Sequence, residues 1–287
     1  MANLKEIRSR ISSVKSTMQI TSAMKMVSAA KLKKAQDAIT AMRPYADKLT
    51  ELLQSLSANL DVDGGSRYSE VREVKKVLVV SISSNRGLCG AFNANIIKQS
   101  VSLLQGKYGN QQVDFVTIGK KAADILRKRH TIVSDHSRVF DDLTFEAVAA
   151  IAEELMKRFE DGEYDRIELV YNKFKNAATQ IVMTEQFLPI QPAEEAAEMA
   201  GDYIFEPSEA EIVEQLIPKS LKTQLFKAIR DSFASEHGAR MTAMHKATDN
   251  AAELRDQLTL TYNKARQAAI TNEILEIVGG AEALANT

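Results

Sequence analysis

The feature of the sequence that most limits its possible folds is a long helical pattern from Lys219 to Val278. This stretch contains no proline and one glycine, Gly238. Its apolar residues recur at steps of three and four, which keeps them on one face of an α-helix. A helix of about 60 residues would be roughly 90 Å long, whereas a helix in a globular protein averages about 11 or 12 residues. We therefore expect a packing partner along the length of this helix.

A second long helix is predicted at the N-terminal end, over about residues 3–57. The a and d positions of one unbroken heptad phase run from Leu4 to Leu56, and thirteen of these sixteen positions are apolar. A phase held over so many heptads is a strong coiled-coil pattern. The segment Asp61–Ser66, with its two glycines, is expected to end the helix. If the two long helices pair within the chain, they must run antiparallel.

Three consecutive heptad positions of the N-terminal helix are polar, namely Thr21, Lys25 and Ser28. We interpret this step as a rotation of the apolar face, either through a stutter or because the helix meets a different surface there. Pro44 is predicted to bend or break the helix near Met42 or Arg43. The apolar residues that suggest the rotation are Ile20, Ala23, Met24, Val27 and Ala30.

Between about residues 74 and 206 the pattern changes to strands that alternate with helices. Val77–Ile82 is a nearly continuous apolar, β-branched run, as expected of a strand buried on both faces. The alternation predicts βαβ units in a three-layer α/β domain with a mostly parallel sheet. The further predicted elements are helix 91–104, strand 113–118, helix 120–128, strand 131–134, helix 144–160, strand 167–171 and strand 180–187.

Composition excludes several classes of protein. The formal net charge is −1, so charge alone implies neither nucleic acid nor a membrane surface. No run of about 18 apolar residues is present to span a bilayer, and the first residues carry no signal-peptide core. Cys89 is the single cysteine, which rules out an internal disulfide and fits a reducing compartment.

Charge is nevertheless uneven along the chain. Residues 1–50 hold ten Lys and Arg against three acids, a local net charge of +7. Between Lys175 and Lys219 there are nine acids and no basic residue. Two interpretations remain open: two solvated surfaces of opposite sign, or a basic helix that faces an acidic partner.

The loop Ser83–Gly90 is the first candidate for a binding site, because it lies between a predicted strand and a predicted helix. It lacks the residues of a phosphate-binding P-loop and of a dinucleotide-binding loop. Tight strand-to-helix packing is therefore the favoured interpretation of Gly87 and Gly90. Cys89 is interpreted as a small, inert loop residue, because no base is indicated beside it.

The remaining candidates do not form an active site, and we predict no catalytic residue, no cofactor and no metal site. Glu273 and Glu276 share one helical face, which is interpreted as a solvated face or a polar contact with a partner. The methionines of the two long helices are interpreted as coiled-coil filling, or as a surface that repacks. The histidines suggest neither a catalytic dyad nor a zinc site: His130, His136, His237 and His245.

Three stretches carry a resemblance to a known family: Arg10–Lys31, Ser84–Asn93 and Asn263–Ala281. The second reads Ser-Asn-Arg-Gly-Leu-Cys-Gly-Ala-Phe-Asn, and the third begins Asn-Lys-Ala-Arg-Gln-Ala-Ala-Ile-Thr. With them, essentially the whole chain resembles the gamma subunit of the rotary (F-type) ATP synthase, in its bacterial type.

The resemblance implies an α/β fold class with two long terminal helices that form an antiparallel coiled coil. A central three-layer, Rossmann-like domain with a mostly parallel sheet would lie between them in sequence. We expect an N-terminal coiled-coil helix over residues 1–60, an α/β head domain over 74–206 and a C-terminal coiled-coil helix over 208–287 that pairs with the first.

The resemblance also implies a function as the central stalk, or rotor shaft, of the proton-translocating ATP synthase. One non-catalytic copy would stand in a hexamer of alpha and beta subunits, and its rotation would couple proton flow through the membrane ring of c subunits to ATP synthesis. Epsilon would be a further partner, while nucleic acid and direct membrane insertion are not expected. The implied location is peripheral, at the cytoplasmic face of the bacterial plasma (inner) membrane.

By the same resemblance, two sets of residues are expected to contact other subunits. The positions that would face the catalytic subunits are Met24, Arg240, Gln267, Thr271, Glu273 and Glu276. The positions that would approach the rotor ring or epsilon are Tyr45, Tyr203 and Glu206. The alternative is a self-associating coiled-coil scaffold that carries an α/β enzyme domain, which stoichiometry would distinguish from a single-copy rotor.

Overall fold

The structure of the chain is a computed structural model. It describes the backbone of residues 4–59, 67–190 and 209–285. Side chains are described at all of these positions except 47, 50–59, 209–214 and 282–285.

Five strands and five α-helices form the described part of the chain, with one short 3-10 helix at Ser137–Phe140. In chain order they are α1 (Leu4–Asn59), β1 (Lys76–Ile82), α2 (Phe92–Gln105), β2 (Gln112–Ile118), α3 (Lys120–Leu126), β3 (Ile132–Asp135), α4 (Phe145–Glu160), β4 (Arg166–Phe174), β5 (Gln180–Leu188) and α5 (Glu209–Ala285). Each strand and helix predicted between residues 74 and 190 is present, with bounds that differ by a few residues.

The chain divides into two compact units. One is Ser28–Arg240, and the other combines Met1–Val27 with Met241–Thr287. Both long helices therefore contribute residues to both units.

The larger unit contains a five-stranded sheet in the order β3-β2-β1-β4-β5. Strands β1 to β4 are parallel, and β5 is antiparallel to β4. At the centre, Val79 of β1 lies opposite Phe115 of β2 on one side and Glu168 of β4 on the other. The predicted mixed α/β fold with a mostly parallel sheet is confirmed.

Helices cover both faces of this sheet, as its sequence pattern indicates. Val77 and Val79 lie in the core shared with α2 and α3, whereas Leu78 and Val80 lie in the core shared with α4. All four side chains are fully buried. Because alternate residues of a strand point to opposite faces, a strand between two helical layers must be apolar at nearly every position. Each such burial contributes about 1.5–3 kcal/mol.

The first part of α5 also packs in the α4 layer, which the sequence analysis did not predict. Ile217, Leu221, Leu225 and Ile229 recur every four residues and are at most 2% exposed. They belong to the same core cluster as the buried face of α4. This part of the helix therefore has the sheet unit as its packing partner.

The heptad face of α1 does not rotate at the polar step, so the stutter interpretation is wrong. Thr21 and Ser28 are buried, at 9% and 3% exposure, whereas Ile20 and Val27 are 61% and 57% exposed. The hydroxyl groups of Thr21 and Thr248 share a hydrogen bond of 2.8 Å, so each buried hydroxyl group has a partner where α1 contacts α5. The other interpretation, that α1 meets a different surface at this step, stays a prediction, and the exposed Ile20 and Val27 are available for such a contact.

Pro44 does not break α1, so the predicted break near Met42 or Arg43 is wrong. The helix continues to Asn59 with Pro44 inside it. Ala46 and Leu49, which follow the proline in the heptad phase, are only 4% and 5% exposed. Their packing offsets the loss of one backbone hydrogen bond, which explains the continuity.

In the smaller unit α1 contacts α5 through side chains from both helices. The guanidinium group of Arg8 donates a hydrogen bond of 3.2 Å to the hydroxyl oxygen of Tyr262. Arg255 Nη1 lies 3.8 Å from the sulfur of Met18. Arg8, Met18 and Thr21 of α1 thus contact Tyr262, Arg255 and Thr248 of α5, in that order. Residue numbers rise along α1 while they fall along α5, so the two helices run antiparallel at these contacts.

Replacement of Gly119 tests the junction between β2 and α3. Its φ is +122°, and a Cβ atom there would lie 2.3 Å from the carbonyl oxygen of Ser83. We expect Gly119→Ala to lower the free energy of unfolding by more than about 2 kcal/mol, measured by urea denaturation. Gly87→Ala is the control, because a Cβ atom at Gly87 meets nothing within 4 Å. Equal effects of the two substitutions on the free energy of unfolding would contradict the positive φ and the close approach of Gly119 to Ser83.

Candidate functional site

The sheet has one position at which an α/β fold commonly binds a ligand. From β1 the chain proceeds to β2 and β3 on one side, and it then returns to β4 on the other side of β1. Such a reversal opens a crevice outside the carboxyl ends of the two strands. Because β1 and β4 are parallel neighbours, the loop Ser83–Gly90, after β1, and the loop 175–179, after β4, leave the same edge of the sheet.

The loop after β1 is held by its own hydrogen bonds. The amide of Ser84 donates to Asn93 Oδ1 at 2.9 Å, and its hydroxyl group donates to the carbonyl oxygen of Arg86 at 2.5 Å. Asn93 Nδ2 lies 3.2 Å from the sulfur of Cys89. Cys89 is 2% exposed, and burial raises the pKa of its thiol. A buried thiol with a raised pKa is a poor nucleophile, in keeping with the interpretation of Cys89 as inert.

Arg240 of α5 binds this loop through carbonyl oxygens. Its Nε and Nη2 atoms donate to the carbonyl oxygen of Gly87 at 3.4 and 3.3 Å, and Nη2 also donates to that of Arg86 at 3.3 Å. Its Nη1 atom donates to Glu236 Oε1 at 2.7 Å. Arg240 is 7% exposed. A phosphate site presents N–H groups to an anion, whereas this loop presents carbonyl oxygens to a cation.

Glu236 is the counterion of Arg240 in this buried cluster. Burial raises the pKa of the Glu236 carboxyl group, while the nearby Arg240 charge acts in the opposite direction. The pair lies within one helix at a separation of four residues, and the two side chains are only 8% and 10% exposed. Removal of either partner would leave a buried charge uncompensated.

Helix α5 also lies against the loop that follows β4. A Cβ atom at Gly238 would be 3.2 Å from the carbonyl oxygen of Ala177 and 3.3 Å from its Cα atom. Ser235 donates a hydrogen bond of 3.0 Å to the carbonyl oxygen of Asn172, near the end of β4. Helix α5 therefore covers the crevice between β1 and β4. The loop Ser83–Gly90 packs against this helix, and packing is the role that the sequence interpretation favoured for Gly87 and Gly90.

The four histidines have different surroundings. The His130 ring lies against Phe115, with ring centroids 5.3 Å apart, and His136 Nε2 is 3.2 Å from a carboxylate oxygen of Glu154. His245 pairs with an acid four residues along α5, while His237 is buried beside Arg240. No group of three or more potential metal ligands was found among the described residues.

The predicted contact residues of the C-terminal end lie together on an uncovered helix. Gln267, Thr271, Glu273 and Glu276 are all exposed, and every residue from 270 to 281 is exposed. Five apolar side chains share this end, with exposures between 48% and 71%: Ile270, Ile274, Leu275, Ile277 and Val278. An apolar stretch of this kind marks a surface that another molecule covers.

This end is uncovered because α5 extends past its antiparallel neighbour. Helix α1 begins at Leu4, and Arg8 contacts Tyr262. Half-buried positions continue on α5 only as far as Ala269, at the heptad spacing of the contact face. Beyond Ala269 the helix extends past the first described residues of α1.

The other predicted contact residues occupy different places. Met24 is half-buried on α1, and Tyr45 is 49% exposed with Lys219 Nζ 5.8 Å from its ring centroid. Arg240 is buried in the cluster described above. Tyr203 and Glu206 lie outside the described residues. The structure thus groups the four α5 positions, and the subunit contacts of all these residues stay predictions.

Sequence reasoning missed Glu236, Asp231 and Arg43, and it named Arg240 without its role in fixing α5. Glu236 and Arg240 stand four residues apart, a spacing that is visible in the sequence as an ion pair within one helix. Asp231 and Arg43 are far apart in sequence, and nothing in their local pattern indicates their 3.4 Å contact.

These features define the class of protein as a subunit that acts by packing within a larger assembly. Its crevice is covered by its own helix, and an apolar helix end is uncovered. The chain belongs to the ATP synthase family: a family model described as ATP synthase matches residues 3–284. The resemblance stated from the sequence is confirmed.

The chain is closely similar to curated bacterial gamma chains. It is 72% identical to the ATP synthase gamma chain of Flavobacterium johnsoniae over 285 residues, with 99% of each chain covered. It is 68% identical to that of Christiangramia forsetii over 284 residues, again with 99% of each covered.

Solved structures agree in fold. One is the central stalk and c-ring of the mitochondrial ATP synthase of Tetrahymena thermophila, at 25% identity and a TM-score of 0.62, covering 79% of this chain and 99% of that one. A chain of the Euglena gracilis mitochondrial ATP synthase, in rotational state 3, has a TM-score of 0.72 at 24% identity and covers 98% and 94% of the two chains. Across the described residues, no helix has the length and apolar character needed to cross a membrane.

Replacement of Arg240 tests the buried cluster. Arg240→Met leaves the Glu236 carboxylate buried without its partner, so we expect the free energy of unfolding to fall by about 3–5 kcal/mol. The exposed pair of Glu6 and Arg10, also four residues apart in one helix, supplies a control, because Arg10→Met should change stability by less than about 1 kcal/mol. Glu236→Gln combined with Arg240→Met should recover part of the loss. Urea denaturation measures all three, and a loss no larger than that of the control would contradict the role of the pair.

The buried His237 makes the free energy of unfolding depend on pH, and the direction of that dependence follows from its pKa. Burial lowers the pKa of His237 to about 4, below the value of 6.5 in the unfolded chain. The unfolded state therefore binds the extra proton between these values, and stability should rise with pH across this window, by up to about 3 kcal/mol. His237→Gln should remove this part of the slope, measured by urea denaturation at several pH values. The exposed His245→Gln serves as control, and parallel profiles for wild type and His237→Gln would contradict the assignment.

Proposed function

We propose that the chain is the central stalk, or rotor shaft, of a proton-translocating ATP synthase, present as one copy in a hexamer of alpha and beta subunits. Rotation of the chain would couple proton flow through the membrane ring to ATP synthesis. The observation that carries the proposal is the uncovered apolar end of α5 on a chain that belongs to the ATP synthase family. A shaft must be enclosed by other subunits at one end, and this end requires such a cover.

The two terminal helices would form the shaft as an antiparallel coiled coil. The contacts of Arg8 with Tyr262 and of Thr21 with Thr248 support this pairing. The heptad positions of α1 support it as well, because Ile7, Leu32 and Ile39 are buried at 7% exposure or less. A shaft that transmits torque needs bracing along its length, which a continuous heptad seam supplies.

The end of α5 would form the contact with the catalytic subunits. Gln267, Thr271, Glu273 and Glu276 would supply polar contacts, and the exposed apolar residues 270–278 would supply the packing. Met24 would approach the same subunits from α1. Arg240 would act there chiefly through the loop that it holds, since its own guanidinium group is buried.

A second set of contacts would involve the residues expected to approach epsilon or the rotor ring. Tyr45, Tyr203 and Glu206 would approach epsilon or the ring of c subunits, with the α/β head domain spanning 74–206 and coiled-coil helices spanning 1–60 and 208–287. The complex would then hold the chain peripherally at the cytoplasmic face of the bacterial plasma membrane. The chain would have no active site of its own, since α5 covers the crevice at which an α/β enzyme would bind its substrate.

Native mass measurement of the tagged chain, purified from its own cells in mild detergent, tests the proposal. One copy bound to three alpha and three beta subunits is the expected result. A homodimer without the hexamer would overturn it and favour the self-associating scaffold.

Substitution of the uncovered end tests the contact with the catalytic subunits. We expect Ile270→Ser, Ile274→Ser and Ile277→Ser, combined, to weaken assembly and ATP-driven rotation, because each removes exposed apolar area that the hexamer would bury. Removal of residues 270–287 should weaken both further. Rotation of single immobilised complexes and the yield of assembled complex measure the effect.

The matched control for these substitutions is Ile181→Ser, since Ile181 is 41% exposed on β5. It should leave assembly and rotation unchanged. A triple variant that assembles and rotates like the control would count against an enclosed helix end.

A further inference from the structure

A groove lies between α2 and α3 on the sheet face opposite α4. Its volume is about 640 Å³. The apolar part of its lining comes from Ile97 and Val101 of α2 and from Ile125 and Leu126 of α3. Ile125 is 50% exposed, although it is a large aliphatic residue beside a packed core. We call this surface the basic groove, for the charges at its rim.

Three cations stand at the rim of the basic groove, namely Lys98, Lys128 and Arg129. All three are exposed, and none makes an ion pair or side-chain hydrogen bond to the described residues. Their neighbours differ: Lys121 pairs with Asp124 and Arg127 pairs with Asp135. The lining of the groove contains no acidic residue. The groove therefore combines apolar walls with a positive charge that the surrounding chain does not neutralise.

The shape and charge of the groove define its occupant. Apolar walls call for an aliphatic or aromatic side chain, and the cations call for carboxylates beside it. Helix α3 has seven residues, so a partner that follows it makes contact over about two helical turns. An amphipathic helix presents this combination when acids flank its apolar face.

Two other classes of ligand fit less well. A bilayer surface is flat on this scale, so it would meet the rim cations without filling a concave groove. A single nucleic acid strand would meet the rim cations through its phosphates, but the apolar walls offer no free aromatic face for its bases, since the aromatic ring in this lining, His130, already lies against Phe115.

From these observations we infer that the basic groove is a docking site for an acidic amphipathic helix of a partner protein. The lining of the groove shares no residue with the uncovered end of α5, so the inference goes beyond the proposed contact with the catalytic subunits. Its failure would leave that proposal unaffected.

The first experiment measures binding of a defined probe to the full chain. The probe is a synthetic, fluorescently labelled helical peptide with leucines on one face and glutamates flanking them. We expect it to bind with an affinity that falls as salt is added. Lys98→Glu with Arg129→Glu should weaken its Kd at least about tenfold, and Ile125→Ser should weaken it at least about threefold.

Matched controls separate the groove from the net charge of the chain. Lys157→Glu with Lys246→Glu changes the net charge equally at exposed positions outside the groove, and it should leave the Kd unchanged. A peptide with lysines in place of the glutamates should not bind. Equal weakening by both charge reversals, or equal binding of both peptides, would overturn the proposal.

The second experiment asks what occupies the groove in cells. A photoreactive benzoylphenylalanine replaces Ile125 in the full chain, and the crosslinked products are sequenced from the purified complex. A crosslink to a protein segment rich in Asp and Glu, lost with Lys98→Glu and Arg129→Glu, is the expected result. Crosslinks to lipid alone, to nucleic acid, to a segment without acids, or to nothing would overturn the proposal.

Discussion

The packing of α5 depends on a short run of buried polar residues between Asp231 and Arg240. Most of the stability of a protein helix comes from the packing of its apolar face, so a helix of 77 residues needs packing partners along its length. Its first part lies in the core of the sheet unit, and apolar packing alone would let it slide by one turn at little cost. Ser235 bonded to the carbonyl oxygen of Asn172, and Arg240 bonded to that of Gly87, fix one register instead. Directional hydrogen bonds to backbone atoms have this effect because a shifted helix leaves both buried partners unsatisfied.

The same run of residues connects three parts of the larger unit. Arg43 of α1 donates to the carbonyl oxygen of Phe174 at the end of β4, and to Asp231 of α5. The Asp231 carboxyl group is buried, and desolvation raises its pKa while the Arg43 charge lowers it. Small residues complete the arrangement, since Ala234 is fully buried and Gly238 lies against Ala177. A larger residue at Gly238 would push the helix from the loop after β4. Charge and close approach thus act together, and an apolar substitute would keep the burial but not the register.

Local pattern was enough to predict the sheet unit and the two long helices. Val77–Ile82 could be assigned to a strand buried on both faces because apolar residues occupy both alternations. The burial of Thr21 could not be predicted in the same way, because its hydroxyl group is satisfied by Thr248, which lies 227 residues away in sequence. Periodicity also could not assign the partners of α5, since helical spacing is the same whether Leu225 meets a sheet unit or a coiled coil. The contacts of Glu273 and Glu276 followed from family resemblance alone, because exposure shows that a residue is available without showing what it meets.

The uncovered end of α5 has no packed face within the described residues to stabilise it. From residue 252 to residue 281 no side chain is buried, and the half-buried positions stop at Ala269. Most helical stability in proteins comes from the packing of an amphipathic face, so the part beyond Ala269, where every described side chain is exposed, gains little from the described chain. The sequence places apolar residues there even so, with Ile277 71% exposed. Selection for solubility alone would favour charged residues at such positions. Under the proposed function, a surrounding surface would bury them, and the polar side chains between them would prevent a continuous apolar contact.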